Sequence, residues 1–192
     1  ELNIADVHLK RMDTQEAAKH LLVASDCLPS RSPVLGLANK RLGAAYMAMG
    51  RYQTATEHLR AAYEQFKGAR DAANWLAVLD LLFSCAMARG KKDEARQWLE
   101  AAKMASDGLG GEAGGSARAT QQHYLSNCVL FAVKWDKARL RPAIDAYLSS
   151  ARKMDTKEAL VRLDGLEKDM SGDKAGVLQL LQAGARAFGE LK

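Results

Sequence analysis

One arrangement of small and large residues occurs three times in this sequence and constrains the fold more than any other feature. A leucine stands four residues after one alanine and three residues before another, and the copies begin 38 and 40 residues apart. Such steps place residues on one face of an α-helix, and a near-constant period indicates stacked copies of one supersecondary unit. The copies are Ala17, Leu21 and Ala24; Ala55, Leu59 and Ala62; and Ala95, Leu99 and Ala102.

The composition agrees with a chain built from helices. Only 3 of 192 residues are proline and aromatic residues make up 6%, while no window alternates Val, Ile and Thr with polar residues as strands do. A chain of this length suits one domain or one repeat array. The sequence therefore predicts an all-α protein.

The best unit is expected to be a helical hairpin. One helix is predicted over 35–49, and Gly50 can adopt the left-handed conformation that ends a helix. A second helix is predicted over 53–66 after a short turn. Gly43 has no side chain, so the second helix is expected to pack closely against the first at that point.

This hairpin resembles the tetratricopeptide repeat. The residues that fall on signature positions are Leu42, Gly43, Tyr46, Gly50, Tyr52, Ala55 and Ala62, with Leu59 replacing the usual aromatic residue. The next unit, 71–104, retains Leu82, Gly90, Ala95 and Ala102. It departs from the pattern at Phe83, where a small residue belongs, and at Ala86, where tyrosine belongs. The first unit keeps the signature of its second helix only, and residues 1–12 are expected to be half of a hairpin.

The resemblance implies antiparallel hairpins stacked into a right-handed superhelix, an α-solenoid. Members of the family are non-catalytic scaffolds or adaptors that bind a peptide segment or partner helix on the concave face, often within a larger assembly. In the standard unit the first helix lines that face. The corresponding residues are Leu37, Lys40, Ala44, Met47, Ala48, Ala77, Asp80, Ser84 and Met87. An alternative interpretation is that Met47 and Met87 only fill gaps between repeats.

One subclass of the family grips a terminal carboxylate with Lys, Asn and Arg on successive first helices. Lys40 could supply one cation, but Ala44 stands where asparagine is needed and Asp80 would repel a carboxylate. The sequence therefore does not predict this clamp.

Three regions are predicted along the chain. Residues 1–106 are expected to hold about two and a half repeats, 107–116 a glycine-rich connector, and 117–192 further helical hairpins. The glycine cluster lacks the Gly-Lys-Ser/Thr ending of a phosphate-binding loop. Helices are predicted over 117–134, from about 141 at Pro142, over 155–169 and over 173–190.

A basic segment at 134–141 is the second candidate for binding. Lys134, Lys137, Arg139 and Arg141 surround Trp135, with Asp136 as the acid among them. It could be a solvated turn with a buried tryptophan, or a surface for an acidic protein. A third hypothesis is a nucleic-acid-associated helical repeat that contacts phosphate and stacks a base on Trp135. The net charge of +5 is too small to favour nucleic acid by itself.

No cofactor, metal site or catalytic residue is predicted. None of the four histidines has a ligand partner at metal-binding spacing, and His58, beside Glu57, is expected to face solvent. The three cysteines are expected to be buried, reduced thiols. Without a signal peptide or an apolar run of about 18 residues, an intracellular location, cytoplasmic or nuclear, is expected. A chain that opens on Glu1 is expected to be a fragment or a trimmed product.

Overall fold

The computed structural model describes residues 1–11, 13–29, 32–69, 71–108 and 115–151. Within these ranges the regular elements are all helical, which confirms the all-α prediction. They are α1 (Leu2–Lys10), α2 (Thr14–Cys27), α3 (Pro33–Ala48), α4 (Tyr52–Ala69), α5 (Ala72–Ala88), α6 (Lys92–Gly108), α7 (Gly115–Trp135), a short helical turn (Lys137–Arg139) and α8 (Leu140–Ala151).

Side-chain caps explain where several helices begin. The Asp71 carboxylate accepts a hydrogen bond from the backbone N–H of Asn74 at 3.1 Å and opens α5. The Ser32 hydroxyl accepts a hydrogen bond from the backbone N–H of Val34 at 3.2 Å and opens α3. Pro33 lies in the first turn of α3, where a residue without a backbone N–H loses no helical hydrogen bond. Such caps bond N–H groups that have no partner within the helix.

Glycines end the first helices of the second and third hairpins, as the sequence predicts. Gly50 has φ of 72° and Gly90 has φ of 69°, the left-handed region that a side chain disfavours. The next N–H then reaches back to the helix, from Arg51 to the Tyr46 carbonyl at 2.8 Å and from Lys91 to the Ala86 carbonyl at 2.9 Å. Both turns therefore have the hydrogen bonding of a Schellman motif.

The chain divides into two compact units, residues 1–109 and 110–192. In the first unit, consecutive helices pack against one another from α1 to α6, and α3 also touches α5. Three hairpins, α1–α2, α3–α4 and α5–α6, are thus stacked in chain order, as a helical repeat requires. This arrangement confirms the predicted fold class.

The alanine–leucine–alanine motifs form the seams of this stack. Every residue of the three motifs is buried except Ala102, which is half-buried. Gly43 provides the close approach that was expected, because a Cβ atom placed on it would lie 2.4 Å from Cγ of Leu59. The small residues therefore set the distance between helices, and the leucines fill the space that remains.

The second unit contains α7 and α8, which pack together. Its core is formed by Val129, Ile144 and Tyr147. Pro142 is the third residue of α8, in the first turn, where proline is tolerated. The predicted helices 155–169 and 173–190 lie outside the described residues, as do 109–114, so the predicted division into three regions stays a prediction.

No helix among the described residues is long and apolar enough to span a lipid bilayer.

Candidate functional site

The residues predicted to bind a partner lie along one side of α3 and α5, here called the first-helix face. Members on α5 follow their counterparts on α3 by 40 residues, the period of the repeat. None of them is fully buried, and Ala48 and Ala77 are exposed. On the core side of the same helices Leu42 and Leu82 are fully buried. The first-helix face consists of Leu37, Lys40, Ala44, Met47, Ala48, Ala77, Asp80, Ser84 and Met87.

Lys40 connects the two helices of this face. Its Nζ donates a hydrogen bond to Oδ1 of Asn74 on α5 at 2.5 Å, and Asn74 in turn donates to the carboxylate of Asp71 at 2.8 Å. Burial, followed by the neighbouring Arg41, lowers the pKa of Lys40, although Asp71 opposes the shift. The Lys40 ammonium therefore already holds two repeats together.

Leu37 and Met47 are partly buried and pack against the core formed by α4 and α5. The two exposed residues of this face, Ala48 and Ala77, are small, and Ala44 is small and partly exposed. Small side chains leave the helix backbones near the surface, so that a bound segment could approach them closely. The face suits a partner held by shape and apolar contact more than one held by charge.

His58 does not face solvent, so that prediction is wrong. The ring is half-buried, its Nδ1 lies 3.1 Å from Oδ1 of Asn39, and it stacks on Tyr46 with the ring centroids 5.5 Å apart. Burial lowers the pKa of His58, against the raising effect of Glu57. The imidazole is therefore a neutral structural group between α3 and α4.

An aromatic cluster joins α4, α5 and α6 and was not identified from the sequence. The ring of Tyr63 lies 6.0 Å from Trp75 and 5.6 Å from Trp98, measured between centroids. Arg60 and Lys67 lie over the rings of Trp98 and Tyr63 at 5.8 and 5.5 Å. The three rings share no sequence spacing, because each comes from a different helix, and their contacts hold repeats together.

A polar bridge spans the same three helices. Glu94 of α6 accepts hydrogen bonds from Arg60 of α4 at 2.9 Å and from Arg89, which follows α5, at 3.1 Å. Arg89 also donates to the hydroxyl of Thr56 at 3.4 Å. The bonds are charge-assisted, because a carboxylate accepts from guanidinium groups. They are also partly shielded from water, because the Glu94 side chain is only 15% exposed.

The predicted basic edge lies in the second unit, at the turn between α7 and α8. Lys134, Lys137, Arg139 and Arg141 are all exposed. Trp135 is half-buried, packs against Phe131 with centroids 5.2 Å apart, and lies under Nζ of Lys134 at 5.0 Å.

Two carboxylates lie among the cations of the basic edge. Asp136 approaches Arg139 at 3.4 Å, and Asp145 approaches Arg141 at 3.5 Å. The arginine side chains of both pairs are well exposed to solvent. The two ion pairs therefore stabilise the turn little. The edge therefore combines cations with a half-buried tryptophan whose ring is contacted by Phe131 and Lys134.

The cysteines differ from one another in burial. Cys85 is buried, and burial raises the pKa of its thiol. Cys27 is exposed, so the prediction of a buried thiol is wrong at that position, and Cys128 is half-buried. None of these three cysteines is in a disulfide bond. Among the described residues no group of three or more His, Cys, Asp and Glu side chains could hold a metal ion.

Residues 46–108 match the sequence profile of the tetratricopeptide repeat. No curated protein matches the sequence. A solved structure that is similar in fold is "Crystal structure of BtubC (BKLC) from P. vanneervenii", which is 17% identical with a TM-score of 0.69. The match covers 97% of this chain and 76% of that one. Residues 46–108 are thus similar to tetratricopeptide repeats, as the resemblance in the sequence implied, and the similar structure supports a helical-repeat fold.

Proposed function

We propose that this tetratricopeptide-like repeat protein is a non-catalytic adaptor that binds a segment of another protein on the first-helix face. Tetratricopeptide repeats generally mediate contacts between proteins, and they are generally without catalytic activity. The contact is made by α3 and α5. The partner belongs to a larger assembly, and this chain is one subunit of that assembly.

The observation that carries the proposal is the contrast between the two sides of the first helices. Leu42 and Ala45 on α3, and Leu82 and Cys85 on α5, are at most 1% exposed, whereas the whole first-helix face retains access to solvent. Stacked repeats thereby present one continuous edge at a fixed spacing. A short helix or an extended segment with small apolar side chains fits such an edge.

The test replaces two small residues of the face with arginine. We expect Ala44→Arg with Ser84→Arg to block partner capture because each adds bulk and charge where a segment must approach. Ala61→Arg, at an exposed alanine on α4, is the matched control. Partners captured from native lysate by the parent chain and each variant are quantified by mass spectrometry, after circular dichroism has shown that both variants fold.

A photo-reactive residue locates the contact directly. Placed at Ala48 or Ala77, which are exposed on the face, it should crosslink the partner; placed at Ala61 it should not. Capture that the double variant leaves intact, together with crosslinks that form equally from Ala61, would exclude the first-helix face as the binding site.

The basic edge supplies a second surface for the same class of function. Exposed Lys137 and Arg141 favour an acidic protein segment, because the half-buried Trp135 ring already contacts Phe131 and Lys134 and is less suited to stacking a base. Lys137→Glu with Arg141→Glu should weaken an acidic partner and leave folding intact. Binding of a labelled single-stranded oligonucleotide at low salt, lost steeply as salt increases, would instead favour the nucleic-acid alternative.

A further inference from the structure

Two histidine rings lie against each other inside the first hairpin. His8 belongs to α1 and His20 to α2, and their ring centroids are 5.4 Å apart with the ring planes inclined by 16°. Both side chains are partly accessible to solvent, at 26% and 30% exposed. The first-helix face lies on α3 and α5, so the proposed function makes no use of this pair.

Each imidazole of the pair is accompanied by a carboxylate. Nδ1 of His8 lies 3.3 Å from Oδ2 of Asp13, and Nδ1 of His20 lies 2.6 Å from Oε2 of Glu1. A carboxylate accepts a hydrogen bond and therefore favours the tautomer in which the ring proton is on Nδ1. In the neutral ring the lone pair that can bind an ion is then on Nε2.

This combination of groups is the one found around histidines that bind metal ions. A metal-ligating imidazole almost always donates its second ring N–H to a carboxylate, a carbonyl or water, which fixes the tautomer and raises the basicity of the ligating nitrogen. Zinc binds imidazole nitrogen at about 2.0–2.1 Å, so one ion can join two nitrogens that lie within about 4 Å of each other. Rings whose centroids are 5.4 Å apart can bring their Nε2 atoms within that distance.

Nearly parallel rings cannot both direct their Nε2 lone pairs at one ion, so metal binding requires the two rings to rotate. The torsion that rotates an imidazole, χ2, is broad, and such a rotation costs little. The carboxylates can follow the rings, because the side chains of Asp13 and Glu1 are 46% and 44% exposed. Binding therefore exchanges the stacking of the rings for two bonds to the metal.

We infer that His8 and His20 form a two-histidine site for a divalent transition-metal ion of the class that imidazole prefers, namely Zn²⁺, Ni²⁺ or Cu²⁺. Nε2 of each ring supplies one bond, and water completes the coordination. Asp13 and Glu1 are positioning residues that act through Nδ1 of the rings. Since one ligand comes from each helix, the ion links α1 to α2 and stabilises the first hairpin.

Isothermal titration calorimetry of the full chain, prepared without an affinity tag, tests the site with Zn²⁺, Ni²⁺ and Mg²⁺. We expect saturable binding of Zn²⁺ and Ni²⁺ and none of Mg²⁺, which prefers oxygen ligands. His8→Gln and His20→Gln should each lower the affinity for Zn²⁺ by about tenfold or more, because one imidazole remains. Zn²⁺ should raise the melting temperature of the parent chain and leave that of both variants unchanged.

Asp13→Asn separates positioning of the ligand from stability of the fold. The Asp13 carboxylate also caps α2, because it accepts a hydrogen bond from the backbone N–H of Glu16 at 3.4 Å. Asparagine is an equally good cap, so the melting temperature without metal should not change. The affinity for Zn²⁺ should fall by about tenfold, because a neutral amide is a weaker partner for the ligating imidazole.

Two controls change other groups that can bind metal. Cys27 is exposed but stands seven residues after His20, two helical turns or about 10 Å along α2, too far to share the ion. His58 belongs to another hairpin, on α4. Cys27→Ser and His58→Gln should therefore leave the affinity for Zn²⁺ unchanged, and circular dichroism verifies that each variant folds.

Nuclear magnetic resonance of the histidine ring nitrogens locates the metal without any substitution. Saturating Zn²⁺ should shift the Nε2 resonances of His8 and His20 together, at one ion per chain. The inference is overturned if Zn²⁺ and Ni²⁺ do not bind saturably, if these two resonances do not move, or if His8→Gln and His20→Gln retain the parent affinity. An equal loss with Cys27→Ser would also overturn it, because the ion would then be bound elsewhere on α2.

Discussion

Gly43 is the residue at which the packing of the repeat depends most directly on a single atom. A Cβ atom there would lie 2.4 and 2.6 Å from Cγ and Cδ2 of Leu59, closer than carbon atoms can approach. Leu59 is fully buried and also packs in the core between α4 and α5. A shift of this side chain therefore disturbs the core between α4 and α5, so a change at position 43 affects the next hairpin.

Gly43→Ala should therefore destabilise the protein. Overpacking costs about 1–3 kcal/mol, which exceeds the roughly 1 kcal/mol that alanine gains over glycine in a helix. Urea denaturation followed by circular dichroism measures the free energy of unfolding. The matched control is Gly68→Ala in α4, where a Cβ atom would have nothing within 4 Å. The control should be neutral or slightly stabilising, and equal effects of the two substitutions would contradict this account.

His58 predicts a pH dependence of stability. Burial lowers the pKa of the folded state, so the unfolded chain takes up a proton first as the pH falls below about 6.5, the ordinary pKa of histidine. The stabilising contribution of neutral His58 is therefore complete above that pH and is lost progressively down to the lowered pKa. The free energy of unfolding, measured between pH 8 and pH 5 (about three units around the ordinary pKa), should decrease toward acid.

His58→Gln keeps a hydrogen-bonding group near Asn39 and removes the titration. The decrease in the free energy of unfolding below about pH 6.5 should be smaller in this variant than in the parent chain. His8 and His20 are unchanged in the variant, so the difference between the two curves isolates His58. Parallel curves would show that the imidazole is not buried as described.

At the scale of the elements, neighbouring hairpins are joined by polar contacts as well as by apolar cores. Lys40 joins α3 to the start of α5 through Asn74, and Glu94 joins α6 to α4 and to the end of α5. Hydrogen bonds have a fixed geometry, whereas apolar contact is nearly non-directional. These bridges consequently specify how far each hairpin is shifted along its neighbour.

Glu94→Gln should weaken the last layer of the first unit. The amide oxygen can still accept a hydrogen bond from Arg89, whose side chain is 21% exposed, but it is a weaker partner for this cation because it carries no negative charge. We expect a loss of about 1–2 kcal/mol in the free energy of unfolding. The control is Glu16→Gln, because Glu16 pairs with Lys19 at 2.6 Å but the two side chains are 42% and 65% exposed.

That control should change stability by less than about 0.5 kcal/mol. Chemical denaturation of both variants under the same conditions gives the comparison. A Glu94→Gln protein as stable as the Glu16→Gln protein would mean that the bridge between α4, α5 and α6 contributes nothing measurable to the stack.

At the scale of the whole molecule, the first unit has the contents of an independent domain. Residues 1–109 contain two apolar cores, one between the first and second hairpins and one between the second and third. In a repeat array most contacts are made between neighbouring layers, so stability is close to a sum of hairpin and interface contributions. Three stacked hairpins satisfy the minimum that such arrays generally need.

A fragment of residues 1–109 should accordingly fold by itself. Circular dichroism should show a helical spectrum and a cooperative thermal transition. Leu82→Asp within the fragment, which places a charge at a fully buried position in the second core, should abolish or strongly lower that transition. If the fragment remains unfolded, or if Leu82→Asp leaves its thermal transition unchanged, the two cores do not define a domain.

The helical repeat was predictable from sequence because its signals are local. The motif at Ala55, Leu59 and Ala62 faces inward by helical periodicity alone, and Gly50 ends α3 because of its own backbone freedom. Helices 35–49 and 53–66 were therefore predicted to within three residues of α3 and α4. For the residues proposed to bind a partner, the sequence predicted which positions of α3 and α5 lie on one side of these helices. Their role in binding stays a prediction.

What covers each face was decided only by the tertiary structure. Helical periodicity predicts which side of its own helix a side chain lies on. Its burial depends on the residues of the neighbouring hairpin that pack against that side. His58 beside Glu57 reads as a surface residue, yet Asn39 and Tyr46 of α3 enclose it. Ile4 occupies a position that is core in both later hairpins, yet it is 45% exposed. The sequence by itself determined the hairpins and their stacking register, and the packing between layers determined which residues are buried and which remain available for binding.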